Sequence, residues 1–501
     1  MQRARLVLDK DFVVGEIDPR LYGSFVEHLG RVVYGGIYEP GHPEADEQGF
    51  RKDVLQLVRE LGVTLVRYPG GNFVSGYDWK DGIGPVERRP ARLELAWNTV
   101  ESNAVGTDEF ADWAKKAGVE FMGVVNLGTG TPKEAGELVE YCNRPSGTYW
   151  SELRRKYGHE APHAVKLWGL GNEMDGPWQI GHLRAEAYAE KAREAAKLMK
   201  WVDPSIELVV CGSSAPEGDT FPEWDRIVLE YTYEYVDYIA IHRYYRYDPK
   251  PQLFYRTDHV EGDAAAFPVD MERYIQSVVA TAEHVKAKKR SAKEVYISFD
   301  EWGVVDDGQP SSLLDALIYG GMLCTLIRHA DRVKIACQSL LVNVGGMIAT
   351  KEGGPAIRTA TYYPFQHAAK YGRGIALRQQ LACPAIETPH SGEAAAVQSA
   401  ATYNPEEGSL NLFFVNYHPA DAILAQVDLR AFGKVRFLEQ LVMRGGEIHA
   451  RNIFDEPERV RPERVDPRSD GAARLEGGAW HVVLPAMSWN VVRFGVAERE
   501  G

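Results

Sequence analysis

Between residues 21 and 371, short apolar runs and longer stretches of helical spacing follow one another eight times. The apolar runs are Leu21–Val26, Val63–Tyr68, Glu120–Leu127, Val165–Glu173, Ile206–Val210, Asp237–Tyr244, Val295–Glu301 and Val333–Val342. Between and after them lie Gly49–Leu61, Asp108–Ala117, Pro132–Cys142, His182–Met199, Pro222–Glu234, Met271–Ala287, Ser311–His329 and Thr359–Tyr371, all with helical periodicity. The runs are apolar throughout rather than alternating, as expected of strands covered on both faces. Eight such units predict an α/β fold, a (β/α)8 TIM barrel. At about 44 residues per unit, the loops exceed what the bare fold needs.

The texture changes after Gly374. Ala394–Asn404, Ser409–Tyr417, Ala422–Leu429, Val435–Gln440 and Trp480–Phe494 are alternating runs separated by turn residues, which reads as a C-terminal antiparallel β-sandwich of jelly-roll type. Ala4–Val14 also alternates and precedes the barrel rhythm, so it is expected to join the sandwich. The expected division is 1–17 for that strand, 18–373 for the catalytic barrel and 374–501 for the sandwich. Arg451–Gly478, rich in Pro, Arg, Asp and Glu, is expected to be an exposed loop.

A net charge of −14 over 501 residues disfavours nucleic acid and anionic membranes as partners. The five scattered cysteines form no CxxC spacing, and MQRARLVLDKDF has no apolar signal-peptide core. With no stretch long enough for a membrane span, the expected location is the cytoplasm.

A buried strand should not end in a carboxylate unless that carboxylate faces a cavity, because an unpaired buried charge is expensive. Two strands here do so. Val165–Gln179 runs VKLWGLGNEMDGPWQ and reaches Glu173, and Glu294–Trp302 runs EVYISFDEW and reaches Glu301. They fall on barrel strands four and seven. In a TIM barrel the functional side chains sit at the C-terminal ends of the strands. Those ends carry Glu27-His28, Arg67 to Asn72, Asn126, Asn172-Glu173, His242 to Tyr244, Glu301-Trp302 and Gln338 to Asn343. Two facing carboxyls, one protonated and one ionised, are the machinery of glycoside hydrolysis. Asn172 is placed to hydrogen-bond a sugar hydroxyl, and Trp97, Trp178 and Trp302 offer stacking surfaces. Arg67 beside a nucleophilic carboxylate would keep it ionised. Asp300 is expected to point the other way by strand alternation and to be structural. Neither a GxxxxGK[ST] loop nor HExxH occurs, so no cofactor and no metal is expected.

GNEMDGPWQ at Gly171–Gln179, RYPGGNFVSGYDW at Arg67–Trp79, FDEW at Phe299–Trp302 and LYGSFVEHLGRVVYGGIYEP at Leu21–Pro40 closely resemble glycoside hydrolase family 51, the α-L-arabinofuranosidases of clan A. The resemblance covers nearly the whole chain. It implies a retaining enzyme releasing terminal non-reducing α-L-arabinofuranosyl residues from arabino-oligosaccharides, arabinan or arabinoxylan fragments. Glu173 is then the acid/base and Glu301 the nucleophile, their carboxyls about 5–5.5 Å apart. Glu27, Arg67, Asn72 and Asn172 match positions holding the sugar or the nucleophile. Tyr244 matches a tyrosine touching the nucleophile, His242 lies beside the site, and Trp97 resembles a platform near the aglycone. Family members associate, so a homo-oligomer, possibly a hexamer, is expected.

Two departures stand out. The family continues Asn-Val-Trp after the nucleophile's Glu-Trp, where this chain has Gly303-Val304-Val305, and it has Gln where this chain has Leu340. The departures imply a roomier and less polar aglycone side. Other readings stay open from the residues: a clan A glycosidase of another substrate (a xyloside, a glucan or an arabinofuranosyl glycoconjugate), a metal-dependent barrel enzyme using His28 and His242 with the carboxylates, and a non-catalytic sugar-binding protein.

Overall fold

The computed structural model describes residues 1–246, 255–256, 260–305, 309–389, 391–466, 468–469 and 473–497. Eight parallel strands close into a ring: Gly23–Phe25, Leu65–Tyr68, Glu120–Val125, Leu167–Leu170, Glu207–Cys211, Tyr238–Arg246, Tyr296–Val305 and Val333–Gln338. Pairing of Cys337 with Gly23 and of Gln338 with Ser24 joins the last strand to the first. The barrel core is largely aliphatic and aromatic, with Leu65, Met122, Leu167, Leu208, Ile239, Ile297 and Ile335 on strands two to eight all buried. Helices start where the sequence supplies caps. Thr131 and Glu134 cap each other's backbone ahead of Pro132–Asn143, and Ser312 and Asp315 do the same for Leu313–Arg328.

The helix Leu313–Arg328 is buried on every face. An outer barrel helix normally keeps one polar face for water. This one has none because the second sheet covers it: the Tyr417 hydroxyl donates to Leu317 O at 3.0 Å, and Arg328 reaches Ser399 O at 2.8 Å. Nearby, the Trp489 indole donates to His367 Nδ1 at 3.1 Å. Burial pushes the His367 imidazole down to about 3, with Lys370 adding to the effect, so it stays neutral and accepts that bond.

Among the described residues the second sheet has ten strands. Its middle is Gln2–Glu16, antiparallel to Ile375–Ala382 on one side and parallel to Ile423–Asp428 on the other. The sheet folds over on itself. Ala4, Leu6 and Leu8 share one buried core with Leu377, Leu412, Phe414, Val427, Leu484 and Phe494, and Phe437 meets Trp480 although their strands are far apart in the sheet order. The result is a β-sandwich packed on the barrel.

Several boundaries differ from the sequence reading. Leu21 and Tyr22 lie in a 3-10 turn, Pro19–Tyr22, so the first barrel strand is only three residues long. The last barrel strand stops at Gln338, which moves Leu340 into a loop. Trp480–Phe494 splits into Ala479–Leu484 and Ser488–Val496, because Pro485 has no N–H to continue the ladder and Met487 takes φ 43°. Ile375–Ala382, the helix Tyr149–Lys156 and the hairpin Arg92–Glu94/Thr99–Glu101 were not expected. Within Arg451–Gly478, read as an exposed loop, Asn452 and Val460 are buried. The Asn452 amide bonds both backbone groups of Val460 and pins the segment down. Residues 467 and 470–472 of that stretch lie outside the described residues.

Candidate active site

The strand Leu167–Leu170 ends at Gly171, which has φ 91°, and Glu173 two residues later has φ 44°. This left-handed turn lifts the Glu173 side chain into the barrel mouth. On the seventh strand, Ser298 pairs with Ala240 and Glu301 with His242, three residues against two. The same extra residue appears against the eighth strand, between Phe299 and Trp302. It is a β-bulge, and it re-aims the side chains that follow it. Alternation therefore fails here. Asp300, expected to face away, is buried against the same imidazole as Glu301: its Oδ1 lies 3.1 Å from His242 Nε2, and its Oδ2 3.5 Å from Arg67 Nε.

His242 Nδ1 lies 2.9 Å from Glu173 Oε1 and 3.6 Å from Glu301 Oε2. One oxygen of each glutamate and this nitrogen all lie within 4.8 Å of one another. Burial alone would lower the His242 pKa, but Glu301, Asp300 and Glu173 outweigh it and hold the ring well above its ordinary range. An imidazolium donates from both nitrogens, here toward Glu173 and Asp300. His28, the other suggested ligand, is engaged elsewhere: Nδ1 on Glu101 at 2.8 Å, Nε2 on the Tyr68 hydroxyl at 2.9 Å, and its ring stacked on Phe73.

Both Glu301 oxygens are held, Oε1 by Arg67 Nη1 at 2.8 Å and Oε2 by the Tyr244 hydroxyl at 2.8 Å. Burial pushes the Glu301 carboxyl up. His242 and Arg67 oppose that, Glu173 adds to it, and the Tyr244 bond opposes it. Arg67 also donates from Nη2 to Asn172 Oδ1 at 2.6 Å, which fixes the orientation of that amide, and Asn172 Nδ2 lies 3.3 Å from Asn72 Oδ1. Glu27 accepts from Phe73 N at 2.9 Å and from Trp97 Nε1 at 3.0 Å. Its carboxyl is pushed up to about 7, first by burial and then by the charge of Glu301. Gly71 makes this crowding possible, since a Cβ there would stand 2.9 Å from Glu301 Oε1 and 3.1 Å from Glu27 Oε2.

Glu27, Gly71, Asn72, Glu173, Tyr244 and Glu301 line one pocket with Phe25, Leu29, Trp97, Trp178, Ser214, Val304, Ser339, Leu340 and Val344, and Asn172 is buried behind it on Arg67 and Asn72. Arg67 and His242 lie beneath it and act through the glutamates. Trp302 does not enter the pocket. It is fully buried, packed on Tyr319 with ring centroids 5.2 Å apart, and serves the core rather than a sugar. Trp178 takes the rim position instead, its indole donating to Glu173 Oε2 at 2.7 Å. Asp175 holds the neighbouring loop through Ser214. Gln338 does not substitute for an amide at Leu340: it is buried between the hydroxyls of Tyr319 and Ser24. The side chain of Val305 lies outside the described residues.

In paired-carboxylate sugar hydrolysis the carboxyls stand about 5–5.5 Å apart in retaining enzymes and about 6.5–9.5 Å in inverting ones. Oxygens within 4.8 Å fit the shorter spacing. A TIM barrel carrying such a pair in an aromatic-rimmed pocket defines a glycoside hydrolase. Residues 57–262 match the alpha-L-arabinofuranosidase 1 domain, and residues 300–488 the alpha-L-arabinofuranosidase C-terminal domain. Over 98% of its length the chain is 49% identical to an intracellular exo-α-(1→5)-L-arabinofuranosidase of Halalkalibacterium halodurans, covering 99% of it. To the corresponding Bacillus subtilis enzyme 1 it is 46% identical, over 98% of this chain and 99% of that one. Among solved structures, a family 51 α-L-arabinofuranosidase from Bifidobacterium longum superposes with a TM-score of 0.92 at 39% identity, covering 99% of this chain and 100% of that one. An arabinose complex of the Thermotoga maritima enzyme gives 0.85 at 34% identity, over 98% and 99%. The chain belongs to glycoside hydrolase family 51, the α-L-arabinofuranosidases.

Proposed function

We propose that this enzyme removes terminal non-reducing α-L-arabinofuranosyl residues from arabino-oligosaccharides by double displacement, with α-(1→5) linkages as its first substrates. The observation that carries the mechanism is the pair Glu173 and Glu301, with oxygens within 4.8 Å at the mouth of a pocket. Glu301 attacks the anomeric carbon with both oxygens steadied by Arg67 and Tyr244, while Glu173 donates a proton to the leaving oxygen. Negative charge thus leaves Glu301 as it appears on Glu173. His242 is bonded to one and close to the other, so the imidazolium faces the same total charge throughout. Glu173 then takes a proton from the water that releases the sugar. Glu27, Asn72 and Asn172 bind the furanose hydroxyls. The names of the curated relatives support both the linkage and a cytoplasmic location, and no helix among the described residues is long and apolar enough to cross a membrane.

The test is the configuration of the first product. Proton NMR of aryl α-L-arabinofuranoside hydrolysis should show the α-anomer appearing first, and a β-anomer appearing first overturns the double displacement. We also propose a homo-oligomer, possibly a hexamer. The exposed Leu93, Leu95 and Val100 of the hairpin that carries Trp97 support association. Light scattering should give several times the mass of one chain, and a monomer refutes it.

A further inference from the structure

Among the described residues, two groups of histidine and carboxylate atoms converge within 4.8 Å. One is the catalytic group Glu173, His242 and Glu301. The other is Asp108, His159 and His163, and none of these lines the pocket around the two glutamates. Asp108 stands in the first turn of the helix Thr107–Ala117. His159 and His163 belong to the segment between the helix Tyr149–Lys156 and the strand Leu167–Leu170. Their spacing, H-x3-H, is that of paired histidines in zinc sites.

Each side chain is aimed by a second bond. His163 Nε2 lies 2.7 Å from Asp108 Oδ1, and the His163 side chain is fully buried. The other oxygen of Asp108 accepts from the Tyr141 hydroxyl at 2.7 Å, which fixes the carboxylate. The His159 ring is held from its far side: Nε2 lies 3.1 Å from Asp112 Oδ2, which also accepts from Gln48 Nε2 at 3.0 Å. In the neutral ring Asp112 keeps the proton on Nε2 and leaves a lone pair on Nδ1. That Nδ1 is buried, has no hydrogen-bond partner, and lies 3.8 Å from Asp108 Oδ1, beyond hydrogen-bond reach. Tetrahedral Zn²⁺, with bonds of about 2.0–2.2 Å, sets its ligand atoms about 3.4 Å apart. The separations of 2.7 Å and 3.8 Å fall on either side of that spacing.

We propose that Asp108 Oδ1, His159 Nδ1 and His163 Nε2 form a structural zinc site with water as the fourth ligand. The ion takes the place of the proton between His163 and Asp108. It clips the helix Thr107–Ala117 to the segment that feeds the strand carrying the chain to Glu173. Asp112 on the His159 ring and Tyr141 on the Asp108 carboxylate are the outer hydrogen-bonding partners such a site needs. His159 and Asp112 are each 22% exposed, which gives the ion a way in. The site stands apart from the arabinofuranosidase reading, and turnover does not depend on it.

The probe is Zn²⁺ alone, titrated by calorimetry into the full-length enzyme after chelator treatment, with excess L-arabinose present to occupy the catalytic pocket. Asp112 raises the pKa of the His159 ring, against burial and with help from Asp108, so the titration is run at about pH 8 to favour the neutral ring. The wild-type chain should bind one ion with a Kd of about 10 μM or tighter. His159→Gln should weaken binding about 100-fold or more, and Asp112→Ala about 10–100-fold. Asp112→Ala leaves all three ligands in place, so it carries the test alone if His159→Gln does not fold. Both variants should hydrolyse aryl arabinofuranosides at the wild-type rate in metal-free buffer. No binding up to about 1 mM Zn²⁺, or unchanged affinity in the variants, overturns the site. Binding that survives these substitutions and is lost in Glu173→Gln places the ion on the catalytic pair and overturns it equally.

Discussion

Glu173 and Glu27 are both carboxyls at strand ends, and their neighbours give them different work. Glu173 takes one bond from His242 and one from Trp178 and opens to the pocket. As the acid, it matters only where the leaving group needs a proton. Glu173→Ala should therefore slow hydrolysis of arabino-oligosaccharides by about 10²–10⁴-fold and slow aryl substrates with good leaving groups far less, their loss lying in the step where water releases the sugar. Azide should restore turnover of the aryl substrates as an arabinofuranosyl azide. Equal losses on both substrate types would refute the assignment. Glu27 is buried deeper, and its value near 7, against an ordinary 4.5, has a stability consequence. The native state binds the extra proton, so this contribution is fully present below 4.5 and is lost as pH rises through 7. The difference amounts to roughly 3 kcal/mol. Glu27→Gln mimics the protonated form and should gain on wild type by that order between pH 5 and pH 8 in denaturant titrations. A constant difference across that range would show that Glu27 does not titrate there.

At the scale of elements, the bulge in Tyr296–Val305 determines what His242 can do. Without the extra residue, Asp300 and Glu301 would face opposite ways, and the imidazole would lose one of its carboxylates. Asp300→Asn removes that charge and lowers the His242 pKa, and should move the basic limb of the pH–rate profile toward acid. A merely structural role would lower activity at every pH and leave the limb in place. This is also where the sequence stopped being legible. The barrel and the strand-end residues Glu27, Arg67, Asn72, Asn172, Glu173, His242, Tyr244 and Glu301 follow from the periodicity and from strings such as GNEMDGPWQ, because strand ends are positions on a regular frame. The facing of Asp300 is not legible because the bulge breaks period 2 with no glycine or proline to mark it. Trp302 reads as a platform in the sequence because a tryptophan beside a catalytic strand end looks the same whether it faces sugar or core. Trp178 carried only a general stacking role, since its bond to Glu173 depends on the turn that begins at Gly171. Leu340 was placed on a strand because an apolar loop entering an apolar pocket has the composition of a strand.

At the scale of the molecule, barrel and sandwich are joined through a buried seam around Leu313–Arg328 and the Trp489–His367 bond. His367 is held to about 3, below an ordinary 6.5, so the unfolded chain binds the extra proton between those values. Its contribution is complete above 6.5 and is lost as pH falls toward 3, at about 1.4 kcal/mol per pH unit. His367→Gln keeps an acceptor for the indole and does not titrate. It should cost about 1 kcal/mol near neutrality yet lose less stability than wild type between pH 6 and pH 4. Parallel acid sensitivity of the two proteins would place the acid-labile contact elsewhere. The strand Gln2–Glu16 has a consequence of another kind. It is translated before the barrel, yet both of its partners, Ile375–Ala382 and Ile423–Asp428, come after the whole barrel. At ribosomal speeds of about 5–20 residues per second, it waits tens of seconds with both edges open. The barrel meanwhile forms between two stretches of chain that have yet to meet, so the sandwich is fastened only after the barrel between its strands has been made.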